Sequence, residues 1–436
     1  MQDEGYIVLY NPISQEGHLD SWHVLFADLL LRAGWGVILL TTDLKQLRIK
    51  CTQRGLNTSN RFVLLEATSP EQGILSKLRK IVQRIDAYFD THSTQRSQVQ
   101  QFFYLIRRIA AGLRKVRKNF PVKTWVTHLE PSAFQAHANF AIDTMQDKVL
   151  AVFNMYVDAY PSVSVAWKDF SLSRGTPWMG LCITPSHNVT ELYYARSSYR
   201  GTCFLDANVC EHYRHTLPNK QFAYLPDITE TALPEAVSPL AQEILQRANG
   251  RAIVFMGGSI GKQKNLVSWC KLIKLADKGK WFFSQVGRLN KNNLTIDDEV
   301  ALLDLQAKTP ENLFISADYL TDERSFNELI AISNIVFAAY RDFPRSSNML
   351  SKAAEFKKPI IVSDGFLMGE RVRRYGIGQV VNQDDVVQMY KALQQCVHLP
   401  PTEAQYIAYR AEFSESAMQY ALDNFMQACL ASKGNN

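Results

Sequence analysis

The chain lacks several features that would have decided its class at once. No stretch of the 436 residues approaches the ~20 consecutive apolar residues of a membrane-spanning helix, although 46% of the side chains are hydrophobic. The opening MQDEGYIVLY places acidic residues where a secretory leader carries basic ones, so export is not expected. Seven cysteines, at positions 51, 182, 203, 210, 270, 396 and 429, are scattered, odd in number and never in Cys-x-x-Cys spacing. That usage fits reduced thiols in a cytosol and offers no metal site. His212 and His215 share one helix face, but no third ligand accompanies them. A full GxGxxG fingerprint is missing, so no dinucleotide site is read from the glycines. No base-reading element accompanies the basic residues, which argues against a nucleic-acid partner.

What is present is length, apolar content and alternation. A chain of 436 residues exceeds one ordinary core and predicts two domains of roughly 200 residues each. Tyr6–Tyr10 is a short apolar strand that runs into the polar loop Asn11–His18. A helix follows, with Trp22, Leu25, Phe26, Leu29 and Leu30 at helical spacing and Gly34 at its close, and Val37–Leu40 returns to strand. Phe62–Leu65, Trp125–His128 and Val149–Phe153 read as further strands. Between Lys77 and Lys118 stand eleven Lys or Arg against two acidic residues, with an apolar stripe at Phe102, Phe103, Leu105, Ile106 and Ile109. That segment reads either as a solvated face packed on the first domain or as a surface for an anionic membrane or acceptor. From Pro161 to about Leu217 the periodicity fades, as in an insertion or acceptor-side region.

Tyr224-Leu225-Pro226-Asp227 and the acidic, Pro-containing stretch to Pro239 read as a linker. The alternation then restarts: strand Ala252–Met256, loop Gly257–Lys264, a helix carrying Leu266, Trp269, Leu272 and Ile273, and strands Trp281–Val286 and Leu313–Ser316. A helix over Ser325–Ser333 and a strand over Ile335–Ala339 come next. The predicted division is therefore 1–225, 226–410 and a C-terminal helix 411–436. Around the loop Tyr340–Arg345 the second half acquires its chemistry. Pro344 ends regular pairing, and Arg345, Ser346, Ser347 and Asn348 gather where a short helix begins. Ser or Asn there would cap the helix, and the unpaired N–H groups with Arg345 would suit a diphosphate. Lys357-Lys358-Pro359 closes the helix before the buried strand Ile360-Ile361-Val362, so the loop is expected at the carboxyl edge of a parallel sheet.

In this order and spacing the segments resemble a GT-B glycosyltransferase. The resemblance covers nearly the full chain: Pro12–Asp43 resembles the family's first β-α-β, Tyr224–Asp227 its domain junction, Phe255–Ser259 with Lys262 and Lys264 its phosphate loop, and Arg345–Asp364 its donor helix and exit strand. It implies an α/β fold of two Rossmann-like domains facing a central cleft, with the sugar nucleotide held by the second. Carried over by position, Gly257, Gly258 and Ser259 would bring backbone close to the donor phosphates, and Lys262 or Lys264 would neutralise the diphosphate. Asp318, Tyr319 and Leu320 would hold the nucleobase, and Arg345, Ser346, Ser347 and Asn348 the phosphates.

The resemblance also guides the catalytic reading. Many retaining members carry two glutamates around the donor helix; Pro344 and Lys352 stand at the matching places here, with Glu355 one turn away. Gln15-Glu16-Gly17-His18 instead resembles the loop of inverting members in which a histidine takes the acceptor proton. His18 is the implied base, oriented by Glu16 or Asp20, and Asp158 is next in line. The expected activity is transfer from a nucleotide-diphosphate sugar to a hydroxyl acceptor in the cytoplasm, with no metal or other cofactor. Two other readings remain: a nucleotide-sugar epimerase of the same architecture, and a catalytically idle binding protein.

Overall fold

The computed structural model describes residues 5–13, 19–67, 129–160, 165–185, 192–307, 310–317, 320 and 322–431. Short apolar runs form two parallel sheets. The first contains β1 (Tyr6–Asn11), β2 (Gly36–Thr41), β3 (Phe62–Glu66), β4 (Val149–Asn154), β5 (Trp178–Cys182), β6 (Tyr199–Phe204) and β7 (Gln221–Tyr224), in the order β3-β2-β1-β4-β5-β6-β7. The second contains β8 (Ala252–Gly257), β9 (Trp281–Val286), β10 (Leu313–Ser316), β11 (Ile335–Ala338), β12 (Ile360–Ser363) and β13 (Gly378–Val381), in the order β10-β9-β8-β11-β12-β13. Helices cover both sheets, so strands such as β2 and β9 are buried at every position, and the apolar run Val37–Leu40 of β2 reflects it. In each sheet the strand order reverses once, between β1 and β4 and between β8 and β11. Ligands of open α/β sheets bind outside the carboxyl ends of the strands at such a reversal.

The section from Pro161 to Leu217 is not an insertion. It supplies β5, β6 and the Ala207–Thr216 helix, and so builds the far side of the first sheet. The strands escaped notice because glycines interrupt them. A Cβ on Gly180 would lie 2.5 Å from the Asn154 carbonyl, and one on Gly201 would lie 1.8 Å from the Gln221 carbonyl. Close strand approach demands glycine there, and glycine erases the apolar pattern. A packed aromatic group, with Trp167 stacked on Trp178 at 5.7 Å between ring centroids, covers this side. His212 and His215 are exposed on the Ala207–Thr216 helix, and no metal-holding cluster occurs among the described residues.

The chain crosses between the halves more than once. The connection after β7 is fastened to both: the Ile228 carbonyl accepts from Trp22 Nε1 at 3.1 Å, and the Glu230 and Ala232 carbonyls accept from Asn327 Nδ2 at 3.0 and 2.9 Å. The last helix, Glu415–Ala431, returns to the first sheet, where Phe425 meets Phe153 edge-on at 6.4 Å and Asp423 accepts from Trp35 Nε1 at 2.8 Å. Among the described residues no helix is long and apolar enough to cross a membrane.

Candidate functional site

The site is built at the β8/β11 reversal. After β8 the backbone turns at Gly258, with φ +94, and crosses so close to β9 that a Cβ on Gly287 would sit 1.9 Å from the Gly258 carbonyl. Only glycine tolerates this crossing, which leaves bare backbone at the sheet edge. Lys264, one turn further on, extends back over the bend: its Nζ is 3.8 Å from where a Gly258 Cβ would stand, and it donates to the Tyr340 hydroxyl oxygen at 2.7 Å. Ser259 and Lys262 are exposed on the same loop. Asn265, buried with φ +55, ties the loop down by donating to the Ala339 and Gln383 carbonyls at 3.1 and 2.6 Å.

The loop after β11 faces this one. Arg345 Nη2 donates to Gln263 Oε1 at 3.3 Å, and the guanidinium lies 5.1 Å from the centroid of the Phe343 ring. Its other nitrogen, Nη1, donates across the cleft to Thr184 Oγ1 at 3.1 Å, just beyond β5 of the first sheet. Thr184 is itself placed by Asp158, whose carboxylate accepts the Thr184 and Ile183 N–H groups at 3.0 and 3.3 Å. Surrounding protein pushes the Asp158 pKa up from the ordinary carboxylate value, against the lowering by those N–H groups, although the residue as a whole is exposed. Burial lowers Arg345 from its ordinary value, and the Asp158 charge acts the other way. The carboxyl edges of the two sheets thus face each other, with Arg345 reaching across.

The helix expected after Arg345 spans only Met349–Glu355. Its capping differs from the prediction. Asn348 has helical dihedrals, φ −58 and ψ −13, and its side chain caps nothing, while Ser347 Oγ accepts the Met349 N–H at 3.4 Å. Ser346 accepts a hydrogen bond from Arg371. Lys352, which the sequence resemblance aligned with a glutamate, is fully buried. It pairs with Glu323 at 2.7 Å and donates to the Glu230 carbonyl at 3.0 Å and to Asn327 Oδ1. Glu355 is exposed.

The structure therefore brings the loop Gly257–Lys264 beside Arg345 through Gln263 and Lys264, with Ser346, Ser347 and Asn348 next along the chain, and sets Asp158 behind Thr184 on the other side. Leu320 is half-buried against the core. His18, Asp318, Tyr319, strand Trp125–His128 and the basic segment Lys77–Lys118 lie outside the described residues. Sequence reading missed Thr184, Gln263 and Arg371. Arg371 sits in the run Arg371-Val372-Arg373-Arg374, and only its place three positions after Met368, on the face the helix buries, hinted that it points inward. On the first half, Asn11 at the end of β1 donates to Asp20 at 3.2 Å, and Asn154 at the end of β4 accepts the Tyr156 N–H at 3.0 Å, so polar side chains line that reversal as well. A hollow of about 820 Å³ beside Thr42, Arg48 and Glu66 takes in none of the predicted site residues.

No family model matches the chain, and no curated protein matches it by sequence. Solved structures do. An α,α-trehalose-phosphate synthase (UDP-forming) from Burkholderia vietnamiensis superposes with a TM-score of 0.60 at 11% identity, covering 98% of this chain and 97% of that one. A trehalose-6-phosphate protein from E. coli bound with UDP-2-fluoro glucose gives 0.58 at 11% identity, with 98% and 99% covered. Sucrose-phosphate synthase from Thermosynechococcus elongatus gives 0.57 at 12% identity, with 98% and 100% covered. The chain has the GT-B fold over nearly its full length: two Rossmann-like α/β halves facing a central cleft.

Proposed function

We propose that the protein is a glycosyltransferase that moves a sugar from a nucleotide-diphosphate donor to a hydroxyl acceptor. The observation that carries this reading is the meeting of the Gly258–Lys264 loop with Arg345 at the strand-order reversal, opposite the carboxyl edge of the other sheet. Bare backbone at Gly257–Ser259 accepts a close phosphate, Lys264 and Arg345 neutralise it, and Lys262, Ser346, Ser347 and Asn348 complete the cradle. Asp318, Tyr319 and Leu320 hold the base of the nucleotide. Residues 226–410 carry the donor, 1–225 the acceptor, and 411–436 clasp the two.

In the proposed reaction His18 removes the acceptor proton as the acceptor oxygen bonds to the sugar's anomeric carbon. The bond from that carbon to the diphosphate oxygen breaks, and the nucleoside diphosphate leaves with the electron pair, stabilised by the cations around it. The configuration inverts. Asp158 is the alternative base. The burial of Lys352 at a retaining-glutamate position supports inversion over retention. Incubation with a panel of nucleotide sugars, first by thermal shift and then for released nucleoside diphosphate and product configuration by NMR, tests the reading. Release with inverted product supports it. Epimerised donor indicates the isomerase, and binding without turnover the idle protein.

A further inference from the structure

Arg371 is 6% exposed, on the Leu367–Tyr375 helix. Its neighbours Arg373 and Arg374 reach solvent and pair with Asp364 at 2.5 Å and Glu412 at 3.0 Å. Arg371 makes no such pair among the described residues; its guanidinium donates to two neutral oxygens, Ser346 Oγ and, at 2.6 Å, the Leu205 carbonyl. The face of Phe413 lies 4.8 Å from the guanidinium carbon. A buried cation costs several kcal/mol in desolvation, and neutral acceptors with one aromatic face recover only part of it. The buried Asp227 carboxylate acts on the same Tyr224 and Tyr409 hydroxyls as Arg371 and offsets part of the charge; the guanidinium itself stands against Ser346 in the proposed donor loop, where low dielectric leaves its field little screened.

The direction of the bond to Ser346 matters. A hydroxyl has one proton to give and an oxygen that accepts. Because Arg371 donates to that oxygen, the Ser346 proton is left for another acceptor, and the adjoining cation makes it the stronger donor. We infer that Arg371 is a positioning residue for the donor diphosphate: through Ser346 it presents a polarised hydroxyl to a phosphate oxygen, and its charge adds to the field that receives that phosphate. The same guanidinium grips the Leu205 carbonyl beyond β6, so the ordering of Ser346 is linked to the seating of the first half against the second. The inference rests on the donor site proposed above.

Calorimetry with UDP, GDP, ADP, CDP and dTDP tests it on the full chain, using Ser346→Ala, Arg371→Met, Arg371→Lys and the combinations with Ser346→Ala. Arg371→Met is expected to weaken the nucleoside diphosphate that wild type binds by about tenfold or more, with Arg371→Lys intermediate, since an ammonium keeps charge but not the fork. Adding Ser346→Ala should cost little further, because the two residues act as one unit. The dependence of binding on ionic strength should also flatten in Arg371→Met, which a merely structural staple would not produce. Wild-type affinity in a folded Arg371→Met, or losses that multiply in the double variant, overturns the inference. Should Arg371→Met fail to fold, the same cycle read with Arg371→Lys decides. If Arg345→Ala loses binding while the Arg371 variants keep it, this inference alone fails; if wild type binds none of the five nucleotides, the donor-site reading fails with it.

Discussion

Charge placement at single residues sets the sharpest expectations. Arg345→Ala removes the side chain that joins Gln263 to Thr184, and with it the charge-assisted phosphate contact of the proposed donor site. Nucleoside diphosphate affinity should fall by about 1.5–3 kcal/mol, roughly one to two decades in Kd by calorimetry. His18→Ala should lower turnover by roughly 10²–10⁴-fold with donor affinity nearly intact, the signature of a lost base. Unchanged turnover would pass the role to Asp158. His23 has a different consequence. It is wholly buried beneath β1, Nε2 lies 2.9 Å from the Leu9 carbonyl, and desolvation pushes its pKa down to about 4. The unfolded chain takes up the proton near pH 6.5, the folded protein only near 4, so stability is full above pH 6.5 and is lost as pH falls between those values. Between pH 7 and 5 this single group accounts for about 2 kcal/mol. Urea titrations at both pH values should show that increment shrinking in His23→Asn.

Among the elements, the two glycine bends that cross after β8 and β9, Gly258 and Gly287, should respond unequally. At Gly258 an added methyl meets nothing nearer than Lys264 Nζ at 3.8 Å, and φ +94 alone makes it unfavourable, so Gly258→Ala should cost about 1–2 kcal/mol. At Gly287, φ +148 is joined by a 1.9 Å collision with the Gly258 carbonyl, and Gly287→Ala should cost at least about 3 kcal/mol. Equal denaturation midpoints for the two variants would refute the crossing geometry. The same elements show what sequence can disclose. Strands Trp281–Val286 and Leu313–Ser316 were legible to the residue, because each opens on three large apolar residues between polar turns. That the loop Gly257–Lys264 lies beside the loop Tyr340–Arg345 was legible, because both follow strands that flank the reversal. Strands β5 and β6 were not, since Gly180 and Gly201 are selected by backbone contact with the neighbouring strands β4 and β7, which no local pattern shows. The partners of Arg345 were hidden for the same reason: Thr184 is 161 positions away, and no local pattern marks it.

For the molecule as a whole, the order of the chain and the order of the folded body disagree, and stability depends on that. The helix Glu415–Ala431 comes last but buries Met418, Leu422, Phe425, Met426 and Cys429 in the core that contains β4 and β6 of the first half. Fully burying one such side chain is worth about 1.5–3 kcal/mol, so the five together rival the ~5–15 kcal/mol that separates a folded domain from its unfolded chain. Charge seals the same contact: Glu415 accepts from Arg54 at 2.6 Å and from Arg32 at 2.5 Å, and Arg54 also pairs with Asp28 at 2.8 Å and with Glu230 of the connection at 2.9 Å. Residues 1–225 expressed alone should therefore aggregate or remain partly unfolded, with apolar surface exposed around Phe153. Fusing 411–436 to that fragment should restore a cooperative thermal transition. The substitution Phe425→Asp in the fusion should abolish it again, because the charge would be forced against the Phe153 ring without a partner. A fragment 1–225 that melts cooperatively without the helix would mean that the first half carries its own core, and that the C-terminal helix only fastens the two halves together.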